Sequence, residues 1–123
     1  MVKPYSKARK ALESIYEDSC AVFIQEKIQD PDTKETKFSE TSVHIGQPCR
    51  LSFTMVKSAS DGHVANVSQA VTLFIAPDVV VPSGSKIVVT QQSGIVTLFS
   101  NSGESSKYMT HQEIPLELFK RYA

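Results

Sequence analysis

The chain has 123 residues, of which 41% are hydrophobic, and its 13 basic side chains balance 13 acidic ones to a formal net charge of zero. That size fits one domain with its own core, and zero net charge argues against a protein held on nucleic acid or anionic lipid by bulk charge. Since no apolar run approaches the roughly 18 residues of a membrane helix and no secretory signal is recognisable, we expect a soluble protein.

The first predicted element is a helix within residues 1–17. Apolar residues recur there at spacings of three and four: Ala8, Ala11, Leu12 and Ile15. This period predicts one apolar stripe, and so short a helix must pack on the rest of the chain to be stable. Beside the stripe lies a small basic cluster: Lys7, Arg9 and Lys10. Such a cluster is typical of a solvated helix face, and the alternative is contact with an acidic partner or with DNA.

After Asp18 the hydrophobic period changes from 3.6 to 2, which indicates strands. The predicted strands cover residues 20–25, 38–45, 49–55, 67–75, 86–90, 95–100 and 108–118. Gly46 and Pro48 are expected to end the second of them. Short strands separated by turn signals favour a barrel or sandwich over alternating strands and helices. We therefore predict a mainly β fold, a small antiparallel β-barrel of six or seven strands over residues 18–123, with residues 1–17 as an N-terminal α-helical segment.

The alternation also predicts which side chains form the core. Those expected inside are Val22, Ile24, Leu51, Phe53, Met55, Val71, Leu73, Ile75, Ile87, Val89, Leu116 and Leu118. Cys20 and Cys49 fall on the same inward faces, where a free cysteine packs as a small hydrophobic residue. A disulfide between them stays open as an alternative, should their strands be neighbours.

Two polar segments are predicted to be surface loops that contact assembly partners. One lies at residues 57–66, with the candidate contact residues Lys57, Ser58, Ser60, Asp61, Gly62 and His63. The other is the charged tip at residues 30–37, with the candidates Asp30, Asp32, Lys34 and Glu35. Because these segments have few large apolar side chains, we expect them to be mobile until a partner orders them. The alternative for each is a plain hairpin connection.

No motif for catalysis, a cofactor or a metal stands out. His44, His63 and His111 share no metal-ligand spacing with one another or with the cysteines. His111 and Glu113 lie on one face of the last predicted strand with Ser102 and Ser106 nearby in sequence, but the motif that positions a nucleophilic serine is missing. The turn at residues 82–86 lacks the spacing of a phosphate-binding loop. We therefore expect no enzymatic activity, no cofactor and no metal.

Two stretches carry a resemblance to a known family. They are Gln47-Pro48-Cys49-Arg50-Leu51-Ser52-Phe53 and a longer one that runs through residues 73–77 and 82–90 to His111-Gln112-Glu113-Ile114-Pro115-Leu116-Glu117-Leu118-Phe119. Together they resemble small structural proteins encoded in the head–tail joining region of long-tailed phages and prophages of Gram-positive bacteria. These proteins are called minor capsid, head–tail connector or head-closure proteins. The similarity covers most of residues 18–123, and the closing stretch is its most specific part.

The resemblance implies a structural virion protein without catalytic residues. It implies a small β-barrel that assembles with copies of itself as a ring in the neck of the virion, beneath the portal and its adaptor, after synthesis in the host cytoplasm. The ring would retain packaged DNA, which passes through it without sequence-specific binding, and would receive the tail. A tail-completion (tail terminator) protein is the near alternative. An OB-like single-stranded nucleic-acid-binding module is the alternative from another class, but such proteins place exposed aromatics among basic residues, and Phe53 is expected in the core.

Overall fold

The computed structural model describes residues 6–58 and 66–122, and for side chains residues 7–55 and 69–122. Within these ranges one helix, α1, spans Ser6–Glu13. The strands are β1 Asp18–Gln29, β2 Thr36–Ser58, β3 Asn66–Ile75, β4 Lys86–Thr90, β5 Val96–Asn101, β6 Ser106–Lys107 and β7 Gln112–Leu118. The last predicted strand thus begins later than expected, with the short β6 just before it.

All strand pairs are antiparallel and belong to one sheet. The order is β3-β2-β1-β4-β5-β7-β6, and β3 also pairs with β7, so six strands are bonded in a ring. β6 lies beside the end of β7 that β5 leaves uncovered. This bonding pairs both edges of each ring strand along part of its length, which removes the free edges of an open sheet. The prediction of a mainly β, antiparallel fold with one short helix is confirmed.

The core lies inside this ring and consists of alternate side chains from six strands. Most residues that the alternation assigned to it are buried, whereas Ile24 and Val71 are half-buried. Cys20 and Cys49 are also buried, on the neighbouring strands β1 and β2, and both are free thiols, so no disulfide joins them. The buried apolar residues are Cys20, Val22, Cys49, Leu51, Leu73, Ile75, Ala76, Val79, Ile87, Val89, Phe99, Ile114 and Leu116.

Three residues predicted in the core lie at the surface. Phe53 is 48% exposed, Met55 is 63% exposed and Leu118 is 64% exposed. Each of the three alternates in step with the buried residues of its strand. Strands β2 and β3 pair as far as Ser58 and Asn66, whereas β7 pairs only with residues 71–75 of β3. The outer part of the β2–β3 hairpin, residues 53–58 and 66–70, therefore extends beyond the residues of β3 that pair with β7. The prediction was wrong because alternation identifies a face, not how far another layer covers it.

Strand β2 continues where the sequence predicted an interruption. Its pairing with β1 shifts register on both sides of Val22, opposite the stretch of β2 that contains Gly46. Gly46 has φ of +65°, in the left-handed region that glycine enters without a Cβ clash. Irregularities of this kind bend a strand rather than end it. The predicted break at Gly46 and Pro48 is thus wrong, and the bent strand pairs with β1 through its first half and with β3 through its second.

Helix α1 is shorter than the predicted segment and does not bury its apolar stripe. Ala8 and Ala11 are exposed, and Ile15 beyond the helix end is 47% exposed. The helix is held to the body by Arg9, whose Nη2 donates to Asp78 Oδ1 at 2.8 Å and whose Nε donates to Glu13 Oε1 at 2.9 Å. The hydrogen bond that Arg9 donates to Glu13 is the main reason that the pKa of Arg9 is raised.

Two buried amides hold the irregular segment between β3 and β4. Gln112 is 1% exposed, and its Nε2 donates to the carbonyls of Ala76 and Val79. Asn101 Nδ2 donates to the carbonyl of Val81 at 3.2 Å. Because a buried amide is costly unless it is hydrogen-bonded, these contacts tie the segment to β5 and β7.

Candidate assembly surfaces

The charged tip at residues 30–37 is a hydrogen-bonded turn between β1 and β2. The amide of Lys34 donates to the carbonyl of Asp30 at 2.8 Å, and Asp30 Oδ1 accepts from the amide of Asp32 at 2.9 Å. The amides of Asp32 and then Thr33, which both donate to this carboxylate, hold the pKa of Asp30 below its ordinary value. Lys34 takes a left-handed conformation, with φ of +59°, and the amide of Glu35 bonds to Thr33 Oγ1. These hydrogen bonds within the turn therefore fix its backbone conformation and the positions of its carboxylates.

The second predicted loop is only partly within the described residues. Lys57 and Ser58 lie in β2, paired with Val67 and Asn66, so assigning them to a strand-free loop was wrong. Alternation weakens at this polar end of the strand, and the pairing is set by β3. The remaining candidates lie outside the described residues: Ser60, Asp61, Gly62 and His63.

An apolar surface, here called the arm face, lies on the inward side of β2 and β3 at the base of the projecting hairpin and continues onto the end of β7. The strand register sets Phe53 opposite Val71, which in turn pairs with the buried Leu116 of β7. Gln69, opposite Met55, lines one surface groove together with Leu118. The arm face consists of Phe53, Met55, Val71 and Leu118. The sequence signal for it was present, because these are the apolar positions that the alternation placed in the core.

A second apolar surface, here called the outer face, lies on the outward side of β4 and β5. Val88 of β4 pairs with Leu98 of β5, and Val96 lies two residues along the same strand. Leu98 is 42% exposed and Val96 54% exposed, whereas their neighbour Phe99 points inward and is buried. Sequence reasoning assigned no role to these side chains. The signal was a strand, residues 95–100, that is apolar on both of its faces.

The C-terminal residues pack across the outward side of β1 and β4 through one polar cluster. Glu40 Oε2 accepts from Lys86 Nζ at 2.7 Å and from the Tyr122 hydroxyl at 2.8 Å. Lys86 Nζ also lies 5.3 Å from the ring centre of Phe23 and 5.4 Å from that of Phe119. Burial and the hydrogen bond to Glu40 raise the pKa of Tyr122 to about 12. The cluster orders residues 119–122 beside the outer face.

His111 belongs to a stack of aromatic rings. Its ring centre lies 4.8 Å from that of Tyr108 and 5.6 Å from that of Phe74. Nε2 lies 3.2 Å from Glu113 Oε2, and Nδ1 lies 3.1 Å from Thr110 Oγ1. Ser102 and Ser106 make no hydrogen bond to this histidine among the described contacts. The stack packs the loop that carries Tyr108 and His111 onto Phe74 of β3.

A polar cleft of about 420 Å³ separates α1 from the body. It is lined by side chains of both signs, among them Arg9, Glu13, His44 and Asp78. The Tyr16 hydroxyl is buried without a hydrogen-bond partner in the described part of the chain, and burial raises its pKa. In this same part, no three His, Cys, Asp or Glu side chains gather as metal ligands. Nor does any helix of residues 6–58 or 66–122 have the length and apolar character to cross a membrane.

Comparison with known proteins gives one likeness of fold. No protein-family model and no curated protein matches the chain. Among solved structures it is similar to the phage-like element PBSX protein xkdH from Bacillus subtilis, with a TM-score of 0.51 and 8% sequence identity. The match covers 82% of this chain and 93% of that one. At this identity the likeness is one of fold.

Proposed function

We propose that the chain is a structural protein of a tailed phage or prophage particle, and that it forms the head-closure ring that joins the portal and its adaptor to the tail. The observation that carries the proposal is the shared fold, over 82% of this chain, with a protein of a phage-like element. The sequence resemblance at residues 47–53, 73–77, 82–90 and 111–119 points to the same class of particle independently of that match.

The distribution of apolar side chains supports a role in an assembly. Monomeric soluble proteins rarely expose contiguous apolar patches of large area, and such patches mark interaction sites. Here the arm face and the outer face each join side chains that the strand register makes neighbours. Phe53 is exposed and pairs with the apolar Val71, whereas the groove at Leu118 is also lined by Glu117, Lys120 and Arg121. The apolar pairing favours contact with protein at Phe53 itself over base stacking along a nucleic-acid strand.

The formal net charge of zero suits a channel through which DNA must slide. A ring that carried many unpaired cations would bind phosphates and retard the DNA. In the proposed role the chain contacts packaged DNA without reading its sequence. No enzymatic step is required of it.

Deletion of the gene from the phage or prophage that encodes the chain tests this function. We expect DNA-filled heads that lose their DNA, together with normal free tails, and restoration of joined particles by the plasmid-encoded chain. Tails of abnormal length would instead support a tail-completion protein. Joined, infectious particles in the deletion strain would overturn the proposal. Salt-sensitive binding of the purified chain to single-stranded oligonucleotides would favour the OB-like alternative.

The two candidate loops are part of this proposal as its partner contacts. Deleting residues 60–63 should leave the fold nearly intact, because loop length affects stability only weakly. It should reduce binding of the chain to isolated portal–adaptor complexes. The matched variant is the double substitution D32N/E35Q in the β1–β2 turn, which removes two charges and keeps the backbone donors to Asp30. If both variants bind portal–adaptor complexes as well as the parent chain does, the two loops only connect strands and contact no partner.

A further inference from the structure

We propose that the fork between β3 and β7 binds an extended acidic segment of another protein, which adds to the open edge of β3 as a further strand. The fork is the place where these two strands separate, beyond the pair formed by Val71 and Leu116. The inference deepens the proposed function, on which it rests only for the identity of the partner as a neighbouring protein of the particle.

Backbone hydrogen bonds show which residues of β3 face the fork. In an antiparallel sheet the N–H and C=O groups of one residue point to the same edge, and successive residues alternate between the two edges. The carbonyl of Pro115 accepts from the amide of Ser102 at 3.0 Å, so the backbone groups of Pro115 point away from β3. Its partner Thr72 therefore faces β2, whereas Val71, which pairs with Leu116, faces β7. The odd-numbered residues of β3 thus direct their backbone groups toward β7.

The same alternation leaves backbone groups of Val67 and Gln69 at an open edge. Strand β3 pairs with β2 without a register shift, so the alternation holds along its length. Gln69 would pair with Leu118 if the ladder continued, but the pairing of β3 with β7 ends before this point. In the part of the chain that the structure describes, β2 is the only strand bonded to residues 66–70. An edge of roughly 17 Å is therefore open to a further strand.

A groove of about 640 Å³ lies beside this edge. Gln69 contributes to its lining from β3, and Leu116 and Leu118 contribute from β7. An extended peptide that adds to a strand edge gains main-chain hydrogen bonds, while pockets along the edge accept its alternate side chains. The fork offers both parts of such a site, because the groove with its apolar wall adjoins the open backbone groups.

The charges of the groove select an acidic segment. Lys120 and Arg121 line it against the single carboxylate of Glu117. Both cations are exposed, and neither forms an ion pair with any residue in the described ranges. Cations placed in this way attract carboxylates and repel a basic segment. A nucleic acid would also meet the cations, but it does not supply the alternating donors and acceptors with which a strand edge pairs. The occupant that fits is an extended segment in which acidic residues alternate with apolar ones.

Binding of short blocked peptides to the purified full chain tests the inference. The acetylated and amidated peptide DIEVTVD should bind in a salt-dependent manner, and the basic counterpart KIKVTVK should bind at least about tenfold more weakly. Hydrogen exchange followed by NMR should slow at the amides of Val67 and Gln69 when the acidic peptide binds. The amides of Ser68 and Ala70 face β2 by the same alternation and should change little.

Charge variants separate the groove from general attraction to the chain. K120E/R121E should weaken binding of DIEVTVD about tenfold. The matched control is K27E/K37E, which makes the same change of net charge at exposed positions of β1 and β2; its affinity should stay near that of the parent. K120Q/R121Q should show a smaller loss in the same direction. Equal losses in K120E/R121E and K27E/K37E would overturn the assignment of the charges to this groove.

The remaining outcomes decide between the edge and other ligands. No binding of DIEVTVD, equal binding of KIKVTVK, or slowed exchange only outside Val67 and Gln69 would overturn the inference. Tighter binding of a single-stranded oligonucleotide than of DIEVTVD, lost in K120E/R121E, would assign the groove to nucleic acid instead. If the peptide binds as expected but the deletion strain makes joined particles, the groove stands and the virion role falls. If the deletion abolishes joining but no acidic peptide binds, the virion role stands and the inference falls.

Discussion

Leu51 and Phe53 lie two residues apart on the same face of β2, yet Leu51 is 8% exposed and Phe53 is 48% exposed. Their partners on β3 are Leu73, which is fully buried, and Val71, which is half-buried. The boundary of the core thus crosses β2 between these two residues. It coincides with Val71, where the pairing of β3 with β7 ends.

The position of this boundary predicts that truncating a side chain inside it lowers the free energy of unfolding more than truncating one outside it. Leu73→Ala should destabilise the chain by about 2–5 kcal/mol, because it leaves a cavity in a closed core. Phe53→Ala should cost about 1 kcal/mol or less in the monomer, since much of the ring is in water already. Chemical denaturation of both variants at low protein concentration measures the difference. Equal losses would place Phe53 in the core and contradict the exposure described here.

The Glu40 cluster predicts a pH-dependent contribution to stability. Hydrogen bonds from Lys86 and then Tyr122 hold the pKa of Glu40 below its ordinary 4.5. A folded-state pKa below the unfolded one stabilises the fold above pH 4.5, and this contribution is lost as the pH falls through the lowered value. Glu40→Gln should therefore melt below the parent at pH 7 and together with it in strong acid. Glu104→Gln, at an exposed loop position, is the control; a difference that persists in acid would contradict the assignment.

Both cysteines should react slowly with a thiol reagent in the folded chain. Hydrogen bonding to the Cys20 thiol, and after that burial, raises the pKa of Cys49 above its ordinary value. Since the thiolate is the reactive form, native labelling should be much slower than labelling in denaturant. Because the pKa of Cys49 is higher in the folded chain than in the unfolded one, this thiol's contribution to stability is fully present below its ordinary pKa of 9.0. That contribution is lost as the pH rises above 9.0. Rapid native labelling monitored by mass spectrometry would refute the packing of these thiols.

Helix α1 should depend on the ion pair between Arg9 and Asp78. Asp78→Asn removes the charge partner that lies 2.8 Å from Arg9 Nη2 and should speed amide hydrogen exchange in residues 7–13. The effect on global unfolding should be below about 1 kcal/mol, as for most exposed ion pairs. Lys10→Ala, on the exposed side of the same helix, is the matched control. Equal exchange in both variants would show that another contact holds the helix.

The sequence determined those features that depend on neighbours along the chain. Alternation in residues 49–55 and 67–75 identified the strands and their inward faces, and the pattern around Ala8 identified the helix. The side-chain chemistry of Asp30-Pro31-Asp32-Thr33 predicted the turn that the structure contains. Each of these signals is set by backbone geometry within a few residues.

Only the tertiary structure decided where these faces are covered. Strand β2 passes through Gly46 because β1 and β3 provide pairing partners on either side of the bend. The arm face lies where the pairing of β3 with β7 ends at Val71, and Arg9 of α1 is bonded to Asp78, which lies between β3 and β4. These outcomes depend on segments distant in sequence that become neighbours only in the folded chain. A periodic pattern identifies a face of a strand or helix, but the layer that covers that face is supplied by the rest of the fold.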